Sequence, residues 1–176
     1  ACQVVTILSL SLAAISSLRV WPNSIAYFHE GVGGPEQGHK HLLDANLDWG
    51  QALLILSRWF EQRAGDEPIY LADFGWLDAQ QAGLESLPLP RLRFNAQGEL
   101  VRGQLEDVRP GWYAASVNHV FGYRHTRRDE PDRTWLREFE PVAKPGYAFW
   151  VYHLTAAEIE RFQQRIRQPA PPSVNP

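Results

Sequence analysis

The sequence predicts an α/β fold: a single small sheet, largely parallel, flanked by helices and preceded by a hydrophobic helix. Three observations lead there. Residues 69–74 (IYLADF), 113–120 (YAASVNHV) and 147–154 (YAFWVYHL) are β-rich runs, each introduced by a Pro or Gly turn signal. They are separated by helical stretches, and strands alternating with helices favour parallel pairing through crossovers. Residues 49–62 and 155–167 carry apolar stripes at helical spacing, as covering helices require.

Bulk properties narrow the class. A chain of 176 residues is the size of one ordinary domain with an appended segment. It contains no Met and begins Ala1-Cys2, so a C-terminal fragment of a longer protein is expected. The formal charge of -3 and pI near 6.1 offer no clustered positive field, so no nucleic-acid partner is expected. The basic cluster 124–133 is interrupted by Asp129, Glu130 and Asp132 and reads as a solvated loop. Cys2 is the sole cysteine, which excludes an internal disulfide and a cysteine-based zinc site.

In chain order, residues 4–18 (VVTILSLSLAAISSL) carry no charge. A full span takes about 20 mainly apolar residues. Val20 and Trp21 would extend the run to the interface, with Arg19 snorkelling. The end of a last transmembrane helix is the preferred reading, a buried core helix is its main rival, and a signal-peptide core lacks a positive leader. Pro22 ends the helix, because the residue before a proline is biased out of helical geometry. Gly31, Gly33, Gly34, Pro35 and Gly38 then form a loop that reads as a tight connection in preference to an anion nest.

Asp48 stands at an N-cap position, with Gln51 completing a capping-box pattern before Leu53, Leu56 and Phe60. After the strand at 69–74, Asp78 to Gly83 is expected to form a capped turn. Leu92 to Phe94 and Leu100 to Arg102 are expected to pair as a small hairpin. Thr134 to Phe139 reads as a short helix. Thr155 and Glu158 form the clearest capping box, ahead of Ile159, Phe162 and Ile166. The proline-rich tail 169–176 is expected to be disordered.

The chemistry-bearing residues concentrate in DANLDWGQ, 44–51. Asp44, Asn46 and Asp48 match the opening of a calcium loop, but Trp49 and Ile55 stand where glycine and a bidentate Glu are needed, so no metal is assigned. His39 and His41 lack a third ligand, and no cofactor fingerprint is present. His119 and His153 end predicted strands, where loops often carry function. Ser116 lies inside a predicted strand without glycine flanks and is not a nucleophile candidate, so no catalytic residue is assigned.

The pieces AYFHE, GG-P-x-x-G and LLDANLDWGQALLILSRW within 22–59, with PGWYAASVNHVFGY at 110–123 and GYAFWVYHL at 146–154, carry a resemblance. They resemble the C-terminal region of bacterial membrane glycosyltransferases of the dolichyl-phosphate-mannose protein mannosyltransferase-like class. Ala45, His29 and Ala52 depart from that pattern, where Ser, Asn and an acidic residue are expected. The resemblance implies a multi-spanning enzyme of the cell inner membrane that moves a sugar from a polyprenyl-phosphate carrier, its catalytic acid lying in an early loop outside these residues. On that implication, residues 1–21 end the last transmembrane helix and 22–168 form an accessory extracytoplasmic, periplasmic domain, inactive alone. Glu30, Asp44, Asn46, Asp48, Trp49 and Gln51 are its candidate substrate-binding residues. Trp49 would stack on a sugar or open the core face of the helix, and the core role is favoured. The competing readings are a membrane-anchored, non-enzymatic sugar- or protein-binding module and a soluble α/β enzyme with a buried first helix.

Overall fold

The computed structural model describes residues 2–95, 99–123 and 132–167; the predicted solvated loop (all but Asp132 and Arg133), the hairpin tip and the tail lie outside them. The fold is α/β, with a small mixed sheet flanked by helices and an apolar helix in front. The first helix, α1 (Cys2–Val20), has the length and composition to cross a membrane. Thr6 Oγ1 donates back to the Cys2 carbonyl at 3.1 Å, the intrahelical bond that lets a hydroxyl sit in an apolar run. Val4, Leu8 and Leu18 are 59%, 64% and 72% exposed, so α1 is not a core helix of this domain.

Past a series of 3-10 turns, α2 (Ala52–Glu61) buries Leu53, Leu56 and Phe60, the stripe read from the sequence. Strands β1 (Ile69–Ala72) and β2 (Leu87–Pro88) follow, then the hairpin β3 (Arg93–Phe94) and β4 (Leu100–Arg102), which pairs antiparallel as expected. Next come β5 (Gly111–Ser116), the short α3 (Val117–Val120), β6 (Phe149–Leu154) and α4 (Ala156–Arg167). The main sheet runs β2-β1-β5-β6, with β1 parallel to both its neighbours and β6 antiparallel to β5.

Alternation along the strands sends side chains to two covered faces. Tyr70, Tyr113, Ala115, Tyr152 and Leu154 pack with Ile159 and Phe162 of α4. Ala114, Phe149 and Val151 pack with Leu53, Leu56 and Phe60 of α2. The two amphipathic helices therefore cover opposite faces, which is why β5 is buried from Tyr113 to Ser116.

Several boundaries differ from the sequence reading, each for a local reason. The strand expected through Val120 stops at Ser116, whose Oγ accepts from the Asn118 amide at 3.3 Å and caps the turn of α3. The strand expected from Tyr147 starts at Phe149, because Gly146 and Tyr147 take left-handed backbone angles of φ 62 and 63. The helix expected at 134–139 is a 3-10 turn, Thr134–Glu138. At α4 the capping box forms: Thr155 N–H donates to Glu158 Oε2 at 2.9 Å, and Glu158 N–H donates to Thr155 Oγ1 at 3.3 Å.

Candidate functional site at the carboxyl edge of the sheet

The segment between α1 and α2 folds as consecutive 3-10 turns whose amides are committed locally: Gly33 N–H donates to the Glu30 carbonyl and Gly34 N–H to that of His29. Gly38 is required where it stands, since a Cβ there would overlap the Phe28 ring. The glycine-rich stretch is thus a tight connection, as the sequence reading preferred.

At its start, this connection grips α1. Ser16 is 3% exposed, and its Oγ lies 2.7 and 2.8 Å from the two Glu30 carboxylate oxygens and 3.0 Å from the Tyr27 hydroxyl. The bond from Ser16 lowers the Glu30 pKa below the usual carboxylate value. Glu30 therefore joins the apolar helix to the domain, its carboxylate bonded by Ser16.

The far end of the connection lies across the carboxyl ends of the parallel strands, the edge where open α/β sheets place their ligands. Asp44 adopts φ 69, a left-handed conformation that an aspartate tolerates when its groups are held. Its amide donates to Asn118 Oδ1 and its Oδ2 accepts from the Tyr123 hydroxyl, both at 2.7 Å, so the segment after β5 anchors the loop. Asn46 is exposed and its Nδ2 donates to the Leu43 carbonyl at 2.8 Å, closing its own turn.

Asp48 is 3% exposed. Its Oδ1 accepts from the amides of Gly50 at 2.9 Å and Ala52 at 3.2 Å. Gln51 Oε1 accepts from the Trp49 amide at 2.8 Å. The expected capping box is thus displaced: Asp48 caps through a turn, Gln51 reaches Trp49 in place of Asp48, and α2 begins at Ala52. Trp49 consequently precedes the helix and is 60% exposed, which overturns its favoured core role.

Besides His119, which the sequence reading named, the structure adds residues that sequence reasoning left aside. Asp73 directly follows β1, and its Oδ1 accepts from the Phe74 amide at 2.8 Å. Its loop touches the Asp48 loop: Gly50 Cα lies 2.6 Å from where a Gly75 Cβ would project. Trp76, on the same turn, is 91% exposed. Asn118 is fully buried, with Nδ2 unpartnered, and Asp48 Oδ2 is likewise enclosed without a partner. His119 Nε2 donates to the Asp73 carbonyl at 2.9 Å and its ring meets Phe74, which also meets Tyr123. The usable signal was positional: an Asp near the end of one predicted strand, which the structure places just past β1, and a polar Asn-His pair at the end of the next.

Burial raises the pKa of Asp48, with Asp73 adding repulsion, and burial raises that of Asp73. Relative to a solvated aspartate, both carboxyl groups are shifted toward the protonated form that can donate as well as accept a hydrogen bond. His153 lies elsewhere: β6 runs antiparallel, so His153 pairs with Trp112 at the amino end of β5 and bonds Glu67 at 2.6 Å. His39 packs against Phe121 and Trp150, and burial lowers its pKa. Among the described residues no group of three or more His, Cys, Asp or Glu side chains is placed to hold a metal ion. A cleft of 1130 Å³ lies at the amino end of β1, lined by Phe60, Glu61, Glu67 and Leu87.

No protein-family model, curated protein or solved structure matches the chain.

Proposed function

We propose that the chain is an accessory domain, held at a membrane surface by α1, of an enzyme that transfers a sugar from a polyprenyl-phosphate carrier, and that the domain lies on the periplasmic side of the cell inner membrane. The observation that carries this reading is the tie of Ser16 to Glu30 and Tyr27. It couples a membrane-length helix to a polar connection whose other end covers the carboxyl edge of the sheet. A domain fixed in this way would be held close to a lipid-borne substrate, and the resemblance of segments 22–59, 110–123 and 146–154 supports the transferase assignment.

Two measurements test it. The full-length gene product, reconstituted in proteoliposomes, should transfer labelled sugar from a polyprenyl-phosphate donor, and weakening the tie with Ser16→Val should lower that rate. Absence of transfer across a panel of donor sugars sinks the enzymatic part. For sidedness, Glu85→Cys in a Cys2→Ser background should react with an impermeant maleimide in intact spheroplasts. Labelling that requires lysis overturns the periplasmic placement.

A second reading, a membrane-anchored binding module without transferase activity, is favoured by the exposure of Trp49 and Trp76 beside polar groups. Binding without transfer by the full-length protein separates it from the first.

A further inference from the structure

We propose that the carboxyl edge of β1 is a carbohydrate subsite, in which Trp76 and Trp49 offer stacking faces to a sugar ring and the carboxyl groups of Asp73 and Asp48 bond its hydroxyls. The assignment rests on the glycosyltransferase reading for its natural ligand, a lipid-linked sugar, and on geometry alone for the sugar ring.

Two exposed indoles stand on adjacent loops. Trp76 is 91% exposed and Trp49 60%, although tryptophan carries more apolar surface than other residues and is ordinarily well covered. The loops bearing them are packed backbone to backbone: a Cβ at Gly75 would stand 2.6 Å from Gly50 Cα, and one at Gly50 would stand 3.5 Å from the Trp76 amide nitrogen. The absence of side chains at Gly50 and Gly75 brings together the two backbone turns that carry the tryptophans. Behind them the base is well fixed. Asp48 holds the first loop through Gly50 and Ala52, and His119 holds the second through the Asp73 carbonyl.

The polar groups complete the pattern. Asp48 is 3% exposed with Oδ2 unpartnered, an uncommon state for a buried carboxyl oxygen and one that a ligand hydroxyl or bridging water would relieve. A pyranose has one face of C–H groups, polarised positive, which lies against the negative face of an indole. Its rim of hydroxyls seeks groups able to donate and accept. Asp44, Asp48 and Asp73 make direct phosphate contact unfavourable here, so a lipid-linked donor would present its sugar to this edge with its phosphate outside it. A quaternary ammonium group is the rival occupant, since cations also seek indole faces and carboxylates. It is best held by aromatic rings that enclose it, whereas both indoles here remain largely open.

The test uses chain 1–176 in a polyoxyethylene detergent, since sugar-headed detergents would compete. Methyl glycosides of mannose, glucose and galactose, and choline as the rival, are titrated while the indole N–H resonances are followed by NMR. Saturable binding of at least one glycoside is expected, with shifts at Trp49 and Trp76. Trp76→Ala should weaken it about tenfold, the size of a lost aromatic contact, with an unchanged thermal midpoint because the side chain is exposed. Gly75→Ala, which forces the loops apart, should weaken it as well. No saturable glycoside binding, tighter binding of choline, or wild-type affinity in Trp76→Ala each overturns the subsite. Glycoside binding by a full-length protein that transfers no sugar leaves the subsite standing and removes the transferase reading. Transfer unaffected by Trp76→Ala, without glycoside binding, does the reverse.

Discussion

Replacing Asp48 tests how the loop is held. Its Oδ1 satisfies two buried amides, those of Gly50 and Ala52. Asp48→Ala leaves both donors without an acceptor, and each orphaned buried donor costs about 1–3 kcal/mol. Against this stands the release of a desolvated carboxylate that Asp73 repels, so a net loss of about 2 kcal/mol is expected at pH 7. Asp48→Asn keeps the acceptor and removes the charge, and should lie within about 1 kcal/mol of the wild type. The pH dependence has a definite sign. Burial first, then Asp73, raises the folded-state pKa, so the stabilising contribution of Asp48 is fully present below its unfolded value of about 3.9 and is lost as pH rises through the folded value. The Asn variant should therefore gain on the wild type as pH rises from about 4 to 7. Urea unfolding of the detergent-solubilised chain, followed by tryptophan fluorescence, gives all three stabilities. Asp48→Asn as destabilising as Asp48→Ala, with no pH dependence in the difference, refutes the view that one oxygen caps while the other is an enclosed liability.

Further outcomes follow from other contacts. The Glu30 pKa is lowered, chiefly by Ser16, so the tie is intact above the ordinary carboxylate value of about 4.3 and loosens as pH falls through the lowered one; the protection of the Val32 and Gly33 amides, measured relative to their intrinsic exchange rates, should fall in acid, and Ser16→Val should abolish that pH step. Thr155→Ala removes one half of a formed capping box and should cost about 1 kcal/mol, measured as a lower thermal midpoint, whereas Thr155→Ser should retain most of the stability. Gly38→Ala places a methyl group inside the Phe28 ring and should cost about 1–3 kcal/mol, with a smaller loss when combined with Phe28→Leu.

Local interactions made much of this molecule legible in advance. The stripes of α2 and α4, the Thr155–Glu158 box, the turn at Asp78 and the β3–β4 hairpin rest on contacts between residues close in sequence, and their spacing is visible in the letters themselves. An uncharged apolar run, short of a full span at 4–18, was visible for the same reason, and the helix that contains it, Cys2–Val20, has the length to cross a membrane. The end of β5 at Ser116 was not, because YAASVNHV is β-rich throughout and only the capping bond from the Asn118 amide stops the strand.

The candidate edge was half legible. DANLDWGQ stood out as a dense set of acids and amides, but which of them face inward is decided by partners far along the chain: Asn118 and Tyr123 hold Asp44, and the Asp73 loop lies against Gly50. Trp49 has a core-like sequence context, yet α2 begins after it and leaves its indole outside. Glu30 looked like a member of the same polar set, yet a serine fourteen residues earlier, in an apolar helix, draws it to that helix. By itself the sequence determined the elements and the polarity of each stretch, since those follow from backbone propensity and the burial pattern of near neighbours. The tertiary structure alone decided which polar groups meet, because that depends on strand order and direction: parallel β1 and β5 bring Asp73 and Asn118 to one edge, while antiparallel β6 carries His153 to the other.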